Sequence, residues 1–113
     1  MILYEPALRF HGEGYAKLLE EHEEKLARPI TPLMHMKEGL PPAFLIYGKD
    51  DGFFPQGEEF IKRSKEIGNH AEMYVIPGVT HGGIYASPWR DTIIHRVDGF
   101  LEFLGYLKVE GKP

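Results

Sequence analysis

Leu40-Pro41-Pro42-Ala43-Phe44-Leu45-Ile46-Tyr47-Gly48-Lys49-Asp50-Asp51-Gly52 is the stretch on which the fold turns. Residues 43–47 are an unbroken apolar run bounded by Pro42 and Gly48. That pattern fits a strand buried on both faces, as in a parallel sheet. Lys49-Asp50-Asp51-Gly52 then has the composition of a turn. Beyond it a helix is predicted over 56–67, with Phe60, Ile61, Ser64 and Ile67 inward and Gly68-Asn69 as its stop. Residues 73–76 read as the next strand, ended by Pro77-Gly78.

A last helix is predicted to open with Ser87 as N-cap and Pro88 in its first turn. Its stripe of Ile93, Ile94, Val97, Phe100, Leu101 and Leu104 has helical spacing, and Gly105 closes it. Towards the N-terminus, residues 28–42 hold four prolines and form a connector, since proline removes a donor and biases its predecessor to extended geometry. Before them, 13–27 predicts an amphipathic helix. Tyr15, Leu18, Leu19, His22 and Leu26 share one face, and the acidic run Glu20, Glu21, Glu23, Glu24 is its wet side. Strand, helix, strand in this order make a right-handed βαβ unit with parallel strands. Two such strands are not a stable sheet, and both read as fully buried. The class is therefore α/β, with a partial sheet that other strands must complete.

Composition narrows the function. With 113 residues the chain is one small domain, 1–113, or a piece of a larger protein. A net charge of −4 provides no basic stripe to neutralise phosphates, so nucleic acid is not an expected partner. The absence of cysteine excludes disulfides, thiolate metal sites and a cysteine nucleophile. No apolar run approaches the roughly 18 residues of a membrane span. The N-terminus lacks a basic start followed by an apolar core, so a soluble chain without a signal peptide is expected, its compartment open.

Two residues carry the chemistry. Asp51 lies four residues past Tyr47, and His81 five residues past Ile76. In open parallel sheets, active groups gather outside the carboxyl ends of the strands. Adjacent strands are about 4.8 Å apart, so loops of similar length can bring the two side chains into hydrogen-bond reach. A carboxylate on one imidazole nitrogen fixes the tautomer and supports the imidazolium formed when the other takes a proton. Gly82 and Gly83 let the loop after His81 fold tightly.

Taken alone, Asp51 is accounted for as a turn residue and His81 as a loop histidine; their common offset makes the case. Asp50 is the fallback acid. His11, His22, His35, His70 and His95 are scattered without metal-ligand spacing. Phe53, Tyr85 and Trp89 either line a substrate pocket or pack the loop and terminal helix.

With Gly48-Lys49-Asp50-Asp51, Phe54-Pro55, Gly78-Val79-Thr80-His81-Gly82 and the terminal helix ending Phe100-Leu101-Glu102-Phe103-Leu104-Gly105-Tyr106-Leu107, the chain from Pro32 onward resembles the C-terminal region of the α/β-hydrolase superfamily. The likeness is to its carboxylesterase and lipase members, of acetylesterase-like type. The resemblance implies Asp51 as the acid and His81 as the base of a Ser-Asp-His triad. It also implies a small-molecule ester as substrate and neither metal nor organic cofactor.

The pattern departs from the family in one respect. No Gly-x-Ser-x-Gly elbow precedes the acid, and the only serines are Ser64 and Ser87, neither flanked by glycines. His11-Gly12-Glu13-Gly14 stands in the wrong place for an oxyanion loop. The expectation is a C-terminal part of a serine ester hydrolase, inactive alone. Such a part would associate with the missing portion or form a homo-oligomer. A prolyl-oligopeptidase-like peptidase fragment and a non-enzymatic α/β dimerisation module are the alternatives.

Overall fold

A computed structural model describes residues 1–8, 22 and 32–108, so the helix expected over 13–27 and the segment 11–14 lie outside the described residues. Strand β1 (Ile2–Tyr4), strand β2 (Ala43–Gly48), helix α1 (Phe54–Glu66), strand β3 (Ala71–Ile76) and helix α2 (Trp89–Phe103) follow in chain order, with 3-10 turns at Pro32–His35 and Gly83–Tyr85. The sheet has the order β1-β2-β3 and is parallel throughout, with Ile2 opposite Phe44 and Ala43 opposite Ala71. The expected α/β class holds. No helix among the described residues is long and apolar enough to cross a membrane.

All six residues of β2 are buried. Because side chains alternate along a strand, they divide between two cores. Ala43, Leu45 and Tyr47 pack with Leu8, Leu33 and the α1 residues Phe54 and Phe60. Phe44 and Ile46 pack with Ile76, Val79, Ile84 and the α2 residues Ile93 and Phe100. The sequence reading of β2 is thus met in full. For β3 it is not: only Ile76 is buried, and Glu72 is exposed. β3 is an edge strand of the described sheet, so it is only partly covered.

Strand β1 was not legible beforehand, because three residues carry no periodicity. It forms because β2 offers a row of partners: Phe44 N–H donates to Met1 O at 2.8 Å and Glu5 N–H to Ile46 O at 2.9 Å. Helix α1 begins at Phe54, two residues before the predicted start. Asp51 organises that entry, its Oδ1 accepting Phe53 N–H at 2.8 Å and its carbonyl accepting Phe54 N–H at 3.0 Å. The helix stops at Gly68-Asn69 as expected: Asn69 N–H reaches Ser64 O at 2.8 Å and Gly68 N–H reaches Lys65 O at 3.3 Å, a Schellman closure. Tyr106 N–H to Leu101 O at 2.9 Å closes α2 in the same way.

Ser87 is not the N-cap of α2. Pro88 holds that position without a side-chain cap bond, after a cis Ser87–Pro88 peptide. Ala86 O accepts the N–H groups of Trp89 at 3.0 Å and Arg90 at 3.3 Å. The backbone thereby satisfies donors that a serine hydroxyl was expected to serve.

Candidate active site

The loops after β2 and β3 leave the same edge of the sheet, and they are fastened together. Lys49 N–H donates to Ile76 O at 2.8 Å, and Asp50 N–H donates to Val79 O at 3.0 Å. This close passage depends on Gly48, since a Cβ there would lie 2.1 Å from Val79 O. Asp51 is 3% exposed and faces inward; Asp50 is exposed, as expected for the fallback acid.

His81 Nδ1 and Asp51 Oδ2 are 2.8 Å apart, and Oδ1 already accepts the Phe53 amide. Both oxygens of the buried carboxylate are therefore engaged. Phe53 sets its ring edge-on to the imidazole with centroids 5.4 Å apart. With a proton on Nδ1 donated to Asp51, the basic lone pair sits on Nε2. The His81 side chain is 54% exposed, so the imidazole stays accessible at the surface. The pair can accept a proton at Nε2 and hold the resulting charge against Asp51.

The hydrogen bond to Asp51 raises the His81 pKa above its ordinary value of 6.5; burial opposes the rise, and the charges of Asp51 and then Glu5 add smaller contributions to it. A histidine whose pKa is higher folded than unfolded binds its proton more tightly in the folded state. Its stabilisation is fully present below the unfolded value and disappears as pH climbs through the folded value. Urea midpoints of the wild type are expected to fall across that window, and His81→Gln to flatten this part of the profile. Identical profiles for the two proteins would contradict the linkage.

Glu5 is the group the sequence reading missed. It follows β1, is 6% exposed, and adopts φ of +48°, a conformation uncommon for a residue with a Cβ. Its Oε1 accepts the Gly82 N–H at 2.8 Å, and its Oε2 lies 3.7 Å from His81 Nδ1. The only hint was Glu5-Pro6 after four apolar residues, too little to place a carboxylate across the sheet. Gly82 itself has φ of +88°, which glycine adopts without a steric cost, so the expected tight turn is present. One ligand atom each from Glu5, Asp51 and His81 lie within 4.8 Å of one another. Nδ1 holds Asp51 and Glu5 holds the Gly82 amide, so hydrogen bonds account for the cluster.

The other candidates fall elsewhere. Ser64 is 1% exposed and its hydroxyl donates to Phe60 O at 2.8 Å, turned into α1. Ser87 is exposed ahead of α2. Trp89 packs against the α2-side core. Tyr85 stands with Tyr4, Ile84, Ile93 and Ile94 around an apolar cleft of about 290 Å³.

No protein-family model matches this chain, and no curated protein matches it. Its structure is similar to a thermophilic esterase from the Planctomycetes species Thermogutta terrifontis. With the propionate-bound form it shares 27% identity at a TM-score of 0.80, over 97% of this chain and 44% of that one. With the native form the values are 25% and 0.81, over 98% and 44%. With the apo form they are 26% and 0.80, over 96% and 43%. The chain thus spans less than half the length of these neighbours, and the likeness is to an esterase-like α/β-hydrolase C-terminal region.

Proposed function

We propose that this chain supplies the acid, Asp51, and the base, His81, of a serine carboxylic-ester hydrolase and is inert until a serine is brought to His81. The 2.8 Å Asp51–His81 bond, on loops following adjacent parallel strands of an esterase-like fold, carries the proposal. In the reaction, Nε2 removes the serine hydroxyl proton as the oxygen attacks the ester carbonyl. Asp51 holds the imidazolium, which returns that proton to the departing alkoxide. Water, deprotonated by the same nitrogen, then attacks the acyl-serine carbonyl, and the imidazolium gives that proton to the departing serine oxygen.

The single-chain test is intact mass after a fluorophosphonate, which tags activated serines. No adduct is expected on this polypeptide, and an adduct would make Ser64 or Ser87 the nucleophile. The second arm adds a serine-bearing N-terminal portion of an esterase of this fold. The expected outcome is co-elution, labelling of the added serine, and turnover of a short p-nitrophenyl ester. A co-eluting pair whose serine stays unlabelled would overturn the proposal. Turnover of a peptide amide in preference to the ester would point instead to the peptidase alternative.

A further inference from the structure

Glu5 has more around it than a loop tether requires. The segment that bears it is held on three sides: Glu5 N–H on Ile46 O at 2.9 Å, the Tyr47 hydroxyl on Pro6 O, and Leu8 N–H on Gln56 Oε1 at 2.7 Å. These bonds hold the backbone at φ of +48° and aim a carboxylate into a nearly closed space beside Asp51 and His81. An unusual backbone conformation persists where its surroundings over-determine it, and such positions cluster at functional sites. A buried carboxylate without a matching positive charge is costly, and the cationic form of His81 is the charge at hand.

We propose that Glu5 is a positioning residue: one carboxylate oxygen fixes the Gly82 end of the histidine turn while the other supports the imidazolium from the side opposite solvent. The proposal rests on the triad reading above and adds a second carboxylate to it. Among the described residues, the ionisable groups facing His81 are then Asp51 from the β2 loop and Glu5 from the segment after β1, with Tyr85 beside Glu5. Asp51 orients Nδ1 directly; Glu5, at 3.7 Å, acts mainly through its charge and through the turn.

The test needs no nucleophile. The His81 Cε1 proton is titrated by NMR in the full 113-residue chain as wild type, Glu5→Gln, Glu5→Gly and Asp51→Asn. Glu5→Gln keeps an oxygen for the Gly82 amide but removes the charge. It is expected to lower the His81 pKa by about 0.5 to 1 pH unit with the Gly82 amide shift little changed. Glu5→Gly suits the left-handed backbone and removes both interactions, so the pKa is expected to fall at least as far and the amide shift to move. An unchanged His81 titration in either variant, beside a native-like spectrum, would overturn the proposal and leave Glu5 as a tether. Asp51→Asn separates the two ideas: if it too leaves the pKa unmoved, the acid–base pairing itself fails.

Discussion

Asp51→Asn in the hydrolase reassembled with a serine-bearing portion is expected to lower kcat/KM by roughly ten-thousand-fold while the chain keeps its fold. Asparagine has nearly the shape of aspartate, and its oxygen can still accept the Phe53 amide as Oδ1 does at 2.8 Å. What changes is the atom facing Nδ1, now 2.8 Å from a carboxylate oxygen. An amide NH₂ there donates, so Nδ1 must accept and the ring proton moves to Nε2. Nε2 then has no lone pair for the serine proton, and no carboxylate stabilises an imidazolium. The size of the loss follows from both effects acting on one transition state. The checks are ester kinetics on the reassembled enzyme and ¹⁵N shifts of the His81 ring. A loss below about ten-fold would remove Asp51 from the acid's role.

The second large effect is on stability. Gly48→Ala places a methyl carbon 2.1 Å from Val79 O and 2.6 Å from Val79 C, and neither is the end of a flexible side chain. The same oxygen accepts Asp50 N–H at 3.0 Å, and Val79 is itself buried. Relief requires the β3 loop to move off the end of β2, which breaks that bond and uncovers part of the α2-side core. Overpacking against backbone is expected to cost about 3 kcal/mol or more, a large share of a small domain's stability. Any folded population should also show a perturbed His81 resonance, because Val79 precedes it by two residues. Gly99→Ala is the control: nothing lies within 4 Å of its Cβ, and an exposed helical glycine is expected to gain up to about 1 kcal/mol. Urea midpoints of the three proteins decide it. Equal midpoints for wild type and Gly48→Ala would mean that the loops do not pass this closely.

Much of the fold was legible because its signals are local. The apolar run at 43–47 could bury itself only between two layers, and in β2 it does. Gly68-Asn69 and Gly105 ended helices by chemistry that needs no distant partner. The similar offsets of Asp51 and His81 became a 2.8 Å bond because parallel strands in register send their following loops off the same edge. Ser87 misled for a similar reason: its capping signal was sound, but Ala86 O was available to the same amides.

What the amino-acid order determined by itself, then, was the central buried strand, the helices flanking it and the edge on which Asp51 and His81 emerge. Periodicity and turn chemistry act over a few residues and survive being read in isolation. Tertiary structure alone decided the rest. β1 exists only where β2 supplies its hydrogen bonds. β3 is half open because it stands at the margin of the described sheet. Glu5 reaches Gly82 from 77 positions away in the chain. No pattern along a sequence encodes that approach, since it depends on three strands stacking in register before the carboxylate has anything to meet.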